Sequence, residues 1–143
     1  MVRKITWSAV GLLAVALGAG ALNAEDKKED KKDEKALTVE EIMKKGHSGG
    51  TKSLLSKIKT SAKDEKWEDA QTSANLLKAL GEGLAKTKAD KGDAASWKKF
   101  TEKYAKTTAD ISAGAEKKDA KAVNTGLAAL GKSCKECHDI HKE

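Results

Sequence analysis

The sequence predicts an all-α chain folded as an antiparallel four-helix bundle, and three observations carry that expectation. No proline occurs among the 143 residues, whereas average usage of about 5% would supply roughly seven. Aromatic residues make up only 3% of the chain, too few for a sandwich or barrel, whose strands are rich in aromatic and β-branched side chains. Apolar residues recur at spacings of three and four over long stretches, the period of a helix with one buried face. Two cysteines are too few for a disulfide scaffold, and no sustained heptads support a coiled-coil rod. One small domain remains, with few large side chains to fill its core.

Residues 1–24 precede that domain and read as a secretory signal. Arg3 and Lys4 supply a positive start, and Ile5 to Leu22 carry no charge. Small residues follow, and charge begins abruptly at Glu25, so Ala24 is the expected last residue removed, with Ala21 the second choice. A retained membrane anchor is the competing reading, because the uncharged run has about the minimum length for spanning a bilayer. No cysteine lies near the cleavage point, which argues against a lipid anchor. The signal is bacterial in style, so the periplasm is the expected destination. Residues 25–36 form a charged leader with no apolar residue before Ala36, and such a stretch has no face to bury.

Cleavage would lower the net charge from +6 to +4 and remove the only arginine. Export argues against a nucleic-acid partner, and the lysines alternate with Asp and Glu as on helix surfaces.

Within residues 37–143, four helical segments follow in order. The first opens at Thr38, an N-cap candidate with Glu41 at the capping-box position. Ile42, Met43, Leu54, Leu55 and Ile58 lie near one face. Gly46, Gly49 and Gly50 interrupt it, so either the helix breaks there or something bulky packs on bare backbone. The second segment runs from about Asp64 to Ala85, with the stripe Trp67, Ala70, Ala74, Leu77, Leu80 and Leu84. The third opens at Asp93 and carries Trp97, Phe100, Tyr104, Thr108, Ile111 and Ala115. The fourth begins near Asp119 and carries Val123, Leu127, Leu130, Cys134 and Cys137. Short polar links between such segments favour antiparallel neighbours.

The chemistry sits at the C-terminus. Cys134-Lys135-Glu136-Cys137-His138 has the Cys-x-x-Cys-His spacing of c-type haem attachment. Two cysteines three apart on a helix face one side, where each adds to one vinyl group of a single porphyrin. The histidine next in line then reaches the iron from that side. The competing readings are a thioredoxin-like pair, a strained local disulfide, and a zinc site of Cys134, Cys137, His138 and His141. No βαβ context supports the first, and adjacent ligands at 137 and 138 suit a tetrahedral site poorly.

An exported helical domain with this motif in its last ten residues resembles the class II cytochromes c, which include cytochrome c-prime and its low-spin, Met-ligated relatives. The resemblance covers about residues 37–143 and is most specific over Cys134 to Lys142. His141 stands where that family commonly has Tyr, and Lys142 where it commonly has Arg. The resemblance implies one covalent haem in a four-helix bundle, with the first helix on its distal face. There Ile42-Met43-Lys44-Lys45-Gly46 looks like the segment that supplies a Met ligand, making His138 and Met43 the expected iron ligands. His47 and an open sixth position are the alternatives. The three glycines would then let the porphyrin approach the backbone, and Lys44, Lys45 and Lys142 are candidates to meet its propionates.

Two functions follow from this resemblance. One is a periplasmic electron carrier that meets other redox proteins transiently, helped by modest lysine steering. The other is a five-coordinate protein that binds NO or CO. No acid–base cluster accompanies the motif, so catalysis is not expected. A homodimer through the first two helices is a further implication of the resemblance. Trp7 leaves with the signal, so four aromatics remain. The haem is expected to supply missing core volume, and the apoprotein to fold poorly.

Overall fold

The computed structural model describes residues 36–142. The signal segment and all but the last residue of the charged leader lie outside the described residues. The described chain is an all-α helical bundle of five helices: α1 (Val39–His47), α2 (Leu54–Lys63), α3 (Trp67–Leu84), α4 (Ala94–Glu116) and α5 (Ala120–His141). A 3₁₀ turn, Gly50–Lys52, stands between α1 and α2. No strand occurs among the described residues, and no described helix is long and apolar enough to cross a membrane.

The caps read from the sequence form as expected. Thr38 Oγ1 accepts from the Glu41 backbone N–H at 3.2 Å, and Glu41 Oε2 accepts from the Thr38 N–H at 2.8 Å, a complete capping box. Asp93 and Asp119 cap α4 and α5 by accepting from the N–H of Ser96 (2.8 Å) and Ala122 (2.9 Å).

The first segment breaks at its glycines. α1 ends at Ser48, and the chain turns through Gly49 (φ 99°) and Gly50 (φ 56°), left-handed conformations that a side chain would strain. Gly46 is different: it is helical and buried, and a Cβ there would sit 3.5–3.8 Å from Leu80, Leu77 and the Tyr104 hydroxyl. Gly49 and Gly50 therefore serve a turn, whereas at Gly46 a Cβ would make only ordinary van der Waals contacts. Asp64, expected to open the second helix, instead closes α2. Glu65 (φ 57°) then reverses the chain, and the Lys66 N–H donates to Ser61 O at 2.8 Å. The same arrangement ends α4, where Lys118 (φ 55°) precedes an Asp119 N–H bond to Gly114 O at 2.9 Å. Both are Schellman ends, which reverse the chain without proline.

α3 packs on α2 and α4, α5 packs on α4 and α2, and α1 lies against α3 and α2. Ile42, Ile58, Leu77, Ile111, Val123 and Leu130 are wholly buried at the centre. Small residues bring the helices close enough to close that core. A Cβ on Gly81 would meet Thr108 Oγ1 and lie 3.2 Å from the Ala105 backbone, so α3 and α4 nearly touch there. A Cβ on Gly126 would lie 2.5 Å from Ile111 Cγ1, so the Ile111 side chain of α4 packs directly on the backbone of α5. Thr101 and Thr108 are buried on α4, but their hydroxyls donate to Trp97 O (3.0 Å) and Ala105 O (2.9 Å). No buried hydroxyl among the described residues is left unpaired to offset the apolar gain. The described residues thus build an apolar core of their own despite the scarcity of aromatics.

Candidate functional site

The last turns of α5 present the motif. Cys134 and Cys137 are both half-buried and both free thiols, one helical turn apart. Residues three apart on a helix share a face, and Cys137 packs at the margin of the apolar core. His138, directly after it, is exposed. Cys134 Sγ donates to Leu130 O at 3.2 Å within the helix. Burial raises both thiols above their ordinary range, and the neighbouring Cys134 charge adds to the effect at Cys137. Both are therefore neutral S–H groups near pH 7.

Two other helices bring polar side chains to this end of α5. Tyr104 on α4 is buried, and its hydroxyl shares a 2.7 Å hydrogen bond with His47 Nε2 at the last turn of α1. The two rings meet edge to face, 5.8 Å between centroids. Burial, then the Cys134 charge, pushes the Tyr104 phenol far above its ordinary range. Burial lowers His47 below 6.5, and His138 lowers it further. His47 is thus neutral near pH 7 and within electrostatic reach of His138. The Tyr104–His47 bond joins α4 to α1, although Tyr104 lies 57 positions from His47 in sequence.

Met43 takes no part in these polar pairs. It lies four residues before His47 on the same side of α1, half-buried at the margin of the core. Of the three lysines considered for propionates, Lys44 is held by Glu40 at 2.7 Å, which raises its pKa. Lys45 and Lys142 are exposed.

His141 has a role the sequence did not reveal. It is 7% exposed, with Nδ1 2.8 Å from Lys91 O and Nε2 3.0 Å from Ser96 Oγ. A carbonyl only accepts, so Nδ1 carries a proton, and Nε2 shares the second bond with the Ser96 hydroxyl. Its ring also meets Trp97 and Phe100 edge to face, at 5.2 and 5.9 Å. Gly92 (φ 87°) makes room, since a Cβ there would lie 2.6 Å from His141 Nδ1. His141 therefore pins the end of α5 to the link before α4. With both ring nitrogens engaged it is not placed to complete a Cys-Cys-His-His zinc site. No group of three or more His, Cys, Asp or Glu among the described residues is placed to hold a metal ion.

His141→Ala is expected to destabilise the bundle by about 2–3 kcal/mol, from two lost hydrogen bonds and two aromatic contacts. Thermal unfolding followed by circular dichroism measures it. A midpoint unchanged within error would mean the clasp contributes nothing.

The donor set fits a covalently attached haem. Two unpaired thiols share one helix face beside an apolar margin, and an unburied imidazole follows directly. Comparison with family models, with curated proteins and with solved structures finds no match for this chain.

Proposed function

We propose that this protein is an exported monohaem c-type cytochrome that carries single electrons between redox proteins of the periplasm. The observation that carries the reading is the pair of free, half-buried thiols one turn apart on α5, followed by the exposed His138. A pair in a disulfide would be unable to attach anything. As neutral thiols, Cys134 and Cys137 would each add S–H across one vinyl group of a haem c, and His138 would ligate its iron. The haem supplies a reversible Fe(III)/Fe(II) couple when bound.

In this reading α1 and α2 act as one helix broken at Gly49–Gly50. With α3, α4 and α5 they make the antiparallel four-helix arrangement of the class II cytochromes c, which the C-terminal motif resembles. Met43 on α1 would be the second side chain to hold the iron. A soft thioether favours the reduced state and raises the potential. Tyr104 supports the choice, because its buried hydroxyl already engages Nε2 of His47. A second reading gives the sixth position to His47, favoured by its electrostatic proximity to His138. In a third, the position stays open and binds NO or CO.

The visible spectrum of the protein, produced in a host that attaches haem c, tests the proposal. Low-spin ferric and ferrous spectra unchanged by CO are expected, with the long-wavelength ferric band of Met–iron ligation. A high-spin spectrum that shifts with CO would reject the electron carrier and support the gas-binding protein.

A further inference from the structure

The positive charge of the domain is gathered in one place. Residues 42–63 hold six lysines and no Asp or Glu, whereas the rest of 37–143 holds fifteen lysines against sixteen acids. On the other helices many lysines pair along their own surface (Lys44–Glu40 on α1, Lys78–Glu82, Lys98–Glu102, Lys106–Asp110 and Lys135–Asp139), although Lys99, Lys121 and Lys132 there stand scattered without an acidic partner among the described residues. α2 has no acid to pair with. Its Lys57, Lys59 and Lys63 are exposed, as is Lys52 on the 3₁₀ turn, and none of the four has an acidic partner among the described residues.

The buried side of α2 is Ile58 and Ala62, so these lysines line its solvent side together with Ser56 and Thr60. That surface offers nothing apolar to insert into a bilayer. Among the described residues the exposed large hydrophobics are Leu76 and Ile140, on α3 and α5. α2 packs against α1, which carries Met43 and His47, and against α5, which carries the cysteines.

We infer that the outer face of α2, with the 3₁₀ turn before it, is where an acidic redox protein docks. The inference rests on the electron-carrier reading above and names the surface it uses. Unpaired ammonium groups on flexible stems are already free of local partners, so an acidic surface meets no competing carboxylate. Such charge complementarity speeds encounter and leaves the complex short-lived, as a carrier requires.

The test compares two charge reversals of equal size in the full-chain haem protein. One variant is K57E/K59E/K63E on α2, and the control is K117E/K118E/K121E at the α4–α5 link. Helical content by circular dichroism verifies that both fold. Stopped-flow absorbance follows oxidation of the ferrous protein by hexacyanoferrate(III), an anionic stand-in for an acidic partner, and by the cationic tris(phenanthroline)cobalt(III). At low ionic strength the α2 reversal is expected to slow the anionic oxidant about tenfold and to speed the cationic one. The control is expected to change either rate about twofold or less, and high salt to erase the differences. Equal effects from the two variants would show that net charge alone matters and overturn the docking face. Co-sedimentation of the wild type with phosphatidylglycerol vesicles at physiological salt, lost in the α2 variant, would reassign the face to a lipid surface and overturn the protein partner. A chain with no haem would give no absorbance change and overturn the function itself, so the two failures are distinct.

Discussion

Replacing both cysteines, Cys134→Ala with Cys137→Ala, is expected to abolish covalently held haem while the helical bundle persists. The wild type, produced with a haem c attachment system, should keep its colour after acid–acetone extraction. Its mass should exceed that of the mature chain by one haem. The double variant should lose both signatures. Each single variant should keep one thioether, seen as an altered reduced pyridine haemochrome band. The bundle should survive because neither thiol belongs to the buried core: both are half-buried, and Leu130 and Val123 carry the centre of α5. Truncating a half-buried thiol creates little cavity, on the order of 1 kcal/mol at most. The far-ultraviolet circular dichroism of the double variant should therefore stay helical. A wild-type protein whose two thiols are both alkylated by iodoacetamide under native conditions, with no added mass, would remove the haem reading.

That prediction departs from the one the aromatic deficit suggests. A chain with four aromatics in its mature part invites a porphyrin to fill its core. The structure fills it otherwise, through Gly81 against Thr108 and Ala105, and Gly126 against Ile111. Close approach of helices replaces bulk, and the sequence does not show which glycine faces which neighbour. Features that depend on near neighbours were legible: the capping box at Thr38, the caps at Asp93 and Asp119, and the stripes on α3, α4 and α5. The break between α1 and α2 was readable only as an alternative, since three glycines cost helix stability without saying what else they do. Nor did local pattern reveal that Asp64 ends a helix, because an Asp is equally at home opening one.

The site divides in the same way. The Cys-x-x-Cys-His motif is contiguous, so its residues are legible without any fold. The partners of His141 and Tyr104 lie far off in sequence: Ser96 is 45 positions from His141, and His47 is 57 from Tyr104. Long-range pairs of this kind have no signal in a single sequence. With the core closed by small residues, the aromatic deficit no longer argues for a cofactor. The haem reading stands on the motif and the state of its thiols.

In the proposed haem protein, the choice between Met43 and His47 as the second iron ligand turns on Tyr104. Met43→Ala is expected to convert the low-spin protein to a high-spin form that binds CO. The potential should fall on the order of 100 mV, a modest part of the roughly 0.8 V that axial ligands span. His47→Ala should leave the low-spin spectrum in place. The reason is the 2.7 Å bond between His47 Nε2 and the buried Tyr104 hydroxyl. Were His47 to leave for the iron, a buried phenol would lose its partner, at about 1–3 kcal/mol. No such penalty attends Met43, whose thioether is engaged only in apolar packing. Adding Tyr104→Phe to Met43→Ala removes the restraint on His47, so low-spin character should return, now with the lower potential of two imidazoles. Magnetic circular dichroism separates the two ligand pairs and reads all four proteins. Should His47→Ala alone open the iron to CO, while Met43→Ala leaves it low-spin, the ligand is His47. Tyr104 would then act as its alternative partner when the iron is absent.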